Sequence, residues 1–337
     1  MKIGLFCHPN ERVTVTLHRC LEEMHPGTSQ IFELPVQGTP KVAIDETGVY
    51  WDGTDVSELD VAFFQGIAYA YPIIPPNVGD VDWSLWQTDY IGEQQRSSFI
   101  YSAICEMERR GVNVINPFSM WVQDFMKADL LEDLRQGGFN VPEMICTNDP
   151  EDARAFGTNQ TLLWRPITGR AAWQPFRDKQ RETLISPQKP PVLLAEIIDG
   201  PLIRAYVFDG YPLLFLEYSP PDVVPLERLE LFRAIECSQT HAEIERLAAA
   251  VDLRWAQVLF VLNEDRVWIY DVDANPVFDQ LPEVFQKELL SGLTEGLLGR
   301  ARKRGELQIG EFYPRPMPFL RRMLWDLFLI EHRKYRN

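Results

Sequence analysis

Histidine is scarce, five of 337 residues, and no H-x-x-x-H or H-E-x-x-H spacing occurs, so a zinc-protease site lacks its ligands. Cysteine is equally sparse. Cys7, Cys20, Cys105, Cys146 and Cys237 are odd in number and far apart, with no C-x-x-C pair, so neither a disulfide framework nor a structural zinc site is expected. Positive charge is in deficit: 33 Lys and Arg stand against 49 Asp and Glu, and a net charge of −16 repels polyanions, which argues against a large nucleic-acid footprint. No apolar run reaches the roughly 18 residues a bilayer span needs, so no membrane partner is expected. The opening MKIGLFCHPNERV turns polar after a few apolar residues, and the protein is expected to be cytosolic. The sequence has no G-x-G-x-x-G, P-loop or G-x-S-x-G stretch, which disfavours dinucleotide oxidoreductases, P-loop NTPases and common serine hydrolases. Aromatic residues are too dispersed to form a stacking platform for single-stranded nucleic acid.

What is present describes an ordinary folded protein. Hydrophobic residues make up 45% and charged ones 24%, and 337 residues is enough for two or three domains. KIGLF is a short buried strand, stopped by His8-Pro9-Asn10 and followed by a helical stretch from about Val13 to Met24, an opening that implies an α/β layer. KVAIDETGVYWDG has the pattern of a hairpin, and LDVAFFQG that of an interior strand. The stretch from Tyr71 to Gly92, rich in Pro, Trp and Asp, reads as a loop or insertion. A helix is predicted from about Glu93 to Arg110, then a strand at VNVIN, then one helix through Met126, Leu130, Leu131 and Leu134 to Gly137-Gly138. Beyond it, LLWRP, PVLLAEII, IRAYVFDG, YPLLFLEY, AQVLFVLN and RVWIYDVD are strand-like and Leu226 to Val251 is helical in pattern, an α+β half dominated by antiparallel strands. Pro314, Pro316 and Pro318 make a stiff connector, and an apolar stripe with a basic end follows. From Gly299 onward ten Lys and Arg face four acids, which leaves 23 against 45 in the rest of the chain. The terminal stripe suits a helix docked on its own protein, a homodimer contact or an anionic partner.

The chemistry-bearing residues form an ordered series. It comprises Gly111-Val-Asn-Val-Ile-Asn116-Pro117, Lys127, Gly138-Phe-Asn-Val-Pro142, Trp164-Arg165-Pro166-Ile-Thr-Gly169, Leu194-Ala-Glu196-Ile-Ile-Asp-Gly200, Ile203-Arg204 and Asp271-Val-Asp273-Ala-Asn275-Pro276. These segments supply cations from separate elements and two carboxylates on one face of a strand, the parts needed to hold a triphosphate and magnesium. Each also has a plainer reading: Lys127 as a solvated helix lysine, Arg165 as a cation stacked on an aromatic ring, and Arg204 as the partner of a buried acid. Likewise Asp271 with Asp273 could form a strand-end turn, and Glu196 with Asp199 could decorate a turn.

In order and spacing, the series resembles the ATP-grasp superfamily, in particular its glutathione-synthetase-like and ribosomal-protein glutamate ligase branch, over about Leu59 to Asp279. The resemblance implies an N-terminal Rossmann-like (pre-ATP-grasp) α/β domain at 1–117 and two lobes of mainly antiparallel sheet with helices. The central lobe would cover 118–195 and the C-terminal lobe 196–310, with the connector and basic helix at 311–337. It implies ATP and Mg2+ as cofactors. Lys127 and Arg165 would lie on the nucleotide phosphates, Glu196, Ile197 and Ile198 against the adenine edge and Asp199 near the ribose. Arg204 would face the transferred phosphoryl group or the substrate carboxylate, and Asp271 and Asp273 would hold the metal.

The implied activity is ATP-dependent ligation of a carboxylate to an amine through an acyl-phosphate, on an amino acid or peptide. A degenerate relative that binds nucleotide or a protein partner without ligating, and a small-molecule kinase on the same scaffold, are the alternatives. Four departures from the family pattern bear on catalysis more than on nucleotide binding. Arginine replaces lysine at 165, the second loop glycine falls on Ala172, Asp273 replaces an amide, and the acid of the preceding strand falls on Val258, next to Gln257.

Overall fold

A computed structural model describes residues 1–9, 11–35, 40–65, 82–157, 161–167, 173–176, 185–218, 233–234, 240–264, 266–279 and 281–303. The chain divides into a unit Met1–Glu306 and a second unit Leu307–Asn337. The second unit, with the expected connector and basic helix, lies outside the described residues, as do Ala172 and Tyr71 to Val81. Among the described residues no helix is long and apolar enough to cross a membrane.

The chain opens with β1 (Ile3–Cys7), α1 (Arg12–Met24), β2 (Ser29–Glu33), the short strands β3 (Val42–Ile44), β4 (Val49–Trp51) and β5 (Thr54–Asp55), then β6 (Val61–Phe64), α2 (Trp83–Arg109) and β7 (Asn113–Ile115). Strands β2-β1-β6-β7 form one parallel sheet. Every residue of β1 and β6 is buried, as expected for parallel strands covered on both faces. Val13, Leu17 and Leu21 make the buried stripe of α1, and the Glu11 carboxylate caps it by accepting from the Val13 and Thr14 amides.

Helix α2 corrects the expectation of a loop through Gly92. Asp82 caps it by accepting from Ser84 N and Leu85 N, and Trp86 stacks on Tyr90 one turn on, with ring centroids 5.4 Å apart. The segment looked aperiodic because this outer turn buries almost nothing. The observed helix starts at Trp83, ten residues before the predicted one.

Next come α3 (Phe118–Phe125), α4 (Lys127–Gln136), β8 (Met144–Thr147), α5 (Pro150–Phe156), β9 (Leu162–Pro166), β10 (Gln174–Phe176) and β11 (Val192–Glu196). The single helix predicted through Met126 is two helices. Met126 leaves the helical region at φ −99°, ψ 59°, and the chain restarts at Lys127. Strands β10-β9-β11-β8 form an antiparallel sheet.

The last part holds β12 (Leu202–Phe208), β13 (Tyr211–Tyr218), β14 (Arg233–Ala234), α6 (His241–Ala250), β15 (Trp255–Asn263), β16 (Arg266–Asp273) and α7 (Glu283–Lys303). Its five-stranded sheet runs β14-β13-β12-β15-β16, all antiparallel. Of the helix predicted from Leu226 to Val251, residues 226–232 and 235–239 lie outside the described residues, Arg233–Ala234 pairs with β13, and the described helix begins at His241.

Helix α7 has no counterpart among the predicted elements, because its three glycines, Gly292, Gly296 and Gly299, weaken the helical pattern. Two of them are explained by close packing. A Cβ on Gly296 would lie 2.5 Å from the Phe208 ring, and one on Gly292 would lie 2.8 Å from Leu213 Cδ2. One apolar cluster runs from Leu5, Leu17 and Phe63 through Tyr206 and Leu216 to Leu289 and Leu293, so α7 seals the parallel sheet against the five-stranded one. Alanine usually stabilises a helix interior by about 1 kcal/mol over glycine. Here Gly296→Ala is expected to destabilise the protein by about 1–3 kcal/mol through overpacking, measured by urea unfolding.

Candidate functional site

The site grows from an irregularity in the pairing of β15 with β16. Phe260 pairs with Ile269, but Leu259 pairs with Asp271, so Tyr270 is the extra residue of a β-bulge. Beyond the bulge the register is shifted by one. Gln257 then lies opposite Asp273, and Val258 opposite Val272. Directly opposed residues share a face, so Asp271, Asp273, Leu259 and Gln257 form one row-and-column patch, and Val272 and Val258 are buried on the other side. The residue on β15 that accompanies the two carboxylates is therefore Gln257, whereas straight counting reaches Val258. Arg204 and Tyr206 extend the same face on β12, opposite Leu259 and Gln257. Arg204 thus lies two strand spacings from Asp271, about 10 Å.

Two cations converge on Asp271. Lys127 Nζ, in the first turn of α4, is 3.0 Å from Asp271 Oδ1 and 2.6 Å from Asp124 Oδ1. It also donates to the Val272 carbonyl. Arg165 Nη1, from β9, is 2.5 Å from Asp271 Oδ2. The side chains of Lys127, Arg165 and Asp271 are 3%, 1% and 16% exposed, so the interaction is shielded from salt and water far more than a surface pair. A lysine in the first turn of a helix opposes the macrodipole, and here Asp124 and Asp271 offset that cost. Asp124 Oδ1 also accepts from Ala274 N, which ties the end of α3 to the end of β16.

Charge states follow from these contacts. Burial pushes the Asp271 carboxyl up, but Lys127 and Arg165 pull it down further, from 3.8 to about 2. Burial pushes Lys127 down, and Asp271 and Asp124 more than reverse it, so the ammonium stays charged. Arg165 stacks on Trp173, with its guanidinium carbon 5.7 Å from the ring centroid. The aromatic partner is thus Trp173, the residue just before β10, the strand paired with β9. Burial is also the main reason the Tyr206 phenol is raised, with Arg204 pulling it the other way.

Glu196 to Asp199, the hinge, comprise the last residue of β11 and the first three residues of the segment that joins it to β12. Glu196 Oε1 accepts from Glu143 N at 2.9 Å, and the Asp199 carbonyl accepts from Asn263 Nδ2 at 2.6 Å. Ile197 is 42% exposed. Gly200 adopts φ +143° with its Cα against β15, where a Cβ would sit 2.3 Å from the Leu262 carbonyl oxygen, so no other residue fits there. The Tyr270 hydroxyl reaches back to this segment, accepting from Ile198 N at 2.9 Å and donating to the Glu196 carbonyl at 2.9 Å.

Of the predicted site residues, the structure thus brings Lys127, Arg165 and Asp271 into one cluster and puts Asp273 and Arg204 on the adjoining sheet face. Glu196, Ile197, Ile198 and Asp199 form the hinge, linked to the cluster through Tyr270. Sequence reasoning missed Asp124, signalled only by lying three residues before Lys127, and Tyr270; it named Gln257 only as the neighbour of Val258, because the place of both residues depends on the bulge.

The donor chemistry fits magnesium: two carboxylates and an amide oxygen on one face are hard oxygen ligands. Among the described residues no group of three or more His, Cys, Asp and Glu could hold a metal, so an ion bound here would draw further ligands from water and phosphate oxygens. Lys127 and Arg165 are of the right charge for a polyphosphate.

No family model matches the chain, and no curated protein does either. Solved structures do. An ATP-grasp ligase, PsnB, complexed with precursor peptide PsnA2 and AMPPNP superposes with a TM-score of 0.71 at 20% identity, over 89% of this chain and 97% of that one. This chain has the ATP-grasp fold. The macrocyclase MdnC from Microcystis aeruginosa MRC, bound with precursor peptide MdnA, gives a TM-score of 0.67 at 14% identity over 89% of this chain and all of that one. A RimK domain protein ATP-grasp from Sphaerobacter thermophilus DSM 20745 gives 0.57 at 13% identity, over 90% of this chain and 99% of that one. These likenesses bear out the ATP-grasp fold and the mixed α/β and α+β architecture expected from the sequence, with sheets that are mainly antiparallel after a parallel first sheet.

Proposed function

We propose that this ATP-grasp protein is an ATP- and magnesium-dependent ligase that joins a carboxylate of a peptide or amino acid to an amine. The observation that carries the reading is the convergence of Lys127 from α4, Arg165 from β9 and Asp271 from β16 in one shielded cluster. Solved structures of the same fold support the peptide class: PsnB and MdnC are complexed with precursor peptides, and one PsnB structure holds magnesium and ADP.

In this reading Lys127 and Arg165 exchange Asp271 for phosphate oxygens when nucleotide enters. Asp271 and Asp273, with the Gln257 amide oxygen, would then hold magnesium, which would supply charge neutralisation for the phosphates. Arg204 faces the substrate carboxylate. That carboxylate attacks the γ-phosphorus, ADP leaves, and an amine displaces phosphate from the acyl-phosphate. The protein's contribution is alignment and a field of fixed charges in a shielded cleft, with the hinge from Glu196 to Asp199 bordering the base and ribose.

A second reading, binding of nucleotide or a protein partner without ligation, is favoured by one feature. Gln257 is neutral where the family carries an acid; Asp273, in place of an amide, returns the charge on β16, so β15 contributes no carboxylate to the site. A thermal-shift titration and a phosphate-release assay separate the two. Ligase activity predicts magnesium-dependent stabilisation by ATP, and phosphate release on adding a carboxyl-bearing peptide and an amine. Stabilisation without release favours the second reading, and no stabilisation by any nucleotide rejects both.

A further inference from the structure

Ile198 has one backbone N–H and can make one good hydrogen bond with it. In this structure that bond goes to the Tyr270 hydroxyl, 2.9 Å away, and the same hydroxyl donates to the Glu196 carbonyl at 2.9 Å. A carbonyl and an amide two residues apart on an extended segment present an acceptor and a donor side by side. That is the complement of the 6-amino group and N1 of adenine. The phenol, which both donates and accepts, satisfies the pair in the same sense as the base.

Three further observations hold the phenol in place. Tyr270 is the bulged residue of β16, so it turns toward the hinge while Asp271, next in the chain, turns to the opposite face. Tyr270 is 2% exposed and meets Trp173 edge-on at 5.8 Å, and Trp173 Nε1 donates to the Tyr270 carbonyl at 3.3 Å. Trp173 in turn carries Arg165 on its face, so the hinge and the ion cluster share one rigid connection.

We propose that Tyr270 is an internal competitor for the purine edge and thereby sets the affinity and base selectivity of the nucleotide site. This rests on the reading of the hinge as the nucleotide's docking edge. To use the Ile198 amide, adenine must displace the phenol, so part of its hydrogen-bonding gain is offset. Removing only the hydroxyl takes away the two hydrogen bonds that hold the side chain on the hinge and leaves the Ile198 amide without this partner, so the ring gives way to adenine at lower cost.

The test compares the unmodified chain with Tyr270→Phe by calorimetric titration of ADP and GDP in the presence of magnesium, with thermal melts of both proteins as a check on folding. Expected is about tenfold tighter ADP binding in the variant, the equivalent of about one neutral hydrogen bond, with no gain for GDP, whose N1 carries a hydrogen. Equal gains for both nucleotides, or ADP binding that is unchanged or weaker in the variant while the parent binds ADP, overturn the competitor role and leave the nucleotide site standing. Absence of ADP binding to either folded protein removes the nucleotide site and this inference together.

Discussion

Asp271→Ala is expected to cost about 3–5 kcal/mol of stability, and Asp271→Asn to leave a folded protein whose ATP-dependent phosphate release is reduced about 10²–10³-fold. The first figure follows from burial. With Asp271 gone, Lys127 and Arg165, 3% and 1% exposed, lose the carboxylate that joins them, and Asp124 still meets Lys127. An uncompensated buried cation is among the more expensive defects a fold can carry. Loss of activity in the alanine variant would therefore not separate a chemical role from a structural one. The asparagine variant does, because it retains an oxygen acceptor for Lys127 or Arg165 while removing the charge that would hold a divalent ion. Turnover by Asp271→Asn at the parental rate would reject the metal-binding role.

The stability effect carries its own pH signature. The Asp271 carboxyl is held at about 2 in the folded chain against an ordinary 3.8. A depressed acid stabilises the fold above its unfolded value, and that increment, about 2 kcal/mol, is lost as the pH falls from about 4 to 2. The unfolding free energies of the parent and the alanine variant should therefore approach each other over that window; a gap that stays constant would mean the carboxylate is not the stabilising partner.

Asn116→Ala is expected to destabilise by about 3–5 kcal/mol, from three buried backbone groups left without partners at about 1–3 kcal/mol each, partly relieved by relaxation. Asn116, 1% exposed, stands just after β7. Its Nδ2 donates to the carbonyls of Trp255 and Ala274, both at 2.5 Å, and its Oδ1 accepts from Trp255 N at 2.7 Å. One side chain thus straps the start of β15 and the residue after β16 to the parallel sheet. Those two strands carry Gln257, Asp271 and Asp273, so a loosened strap displaces the proposed metal ligands as well as weakening the core. Asn116→Asp keeps the size and the acceptor but loses both donated bonds, and it should fall with the alanine variant. A loss below about 1 kcal/mol for Asn116→Ala in urea unfolding would show that water or neighbouring groups satisfy these atoms.

Much of this protein was legible before any fold was seen. The strands LLWRP, PVLLAEII, IRAYVFDG, YPLLFLEY, AQVLFVLN and RVWIYDVD each hold a described strand, because β-periodicity and apolar runs are local properties. The errors have local reasons as well. Trp83 to Gly92 is helical although it buries little, Met126 breaks a helix whose apolar spacing runs straight through it, and α7 is a helix despite three glycines, two of which leave room for Phe208 and Leu213. Pattern reports what a segment prefers alone, and packing overrules it where another element presses close.

The residue types needed for a polyphosphate site, and their order along the chain, were set by the sequence alone: Lys127, Arg165, the Glu196 to Asp199 hinge, Arg204, Asp271 and Asp273 are readable as chemistry in one dimension. Only the tertiary structure decided that Lys127 and Arg165 meet on Asp271, that Gln257 rather than Val258 accompanies the carboxylates, and that Tyr270 takes the hinge amide. The reason is register. A single bulged residue in β16 reverses which side chains share a face with its partner strand, and pairing between strands is a contact between distant parts of the chain that no local pattern encodes.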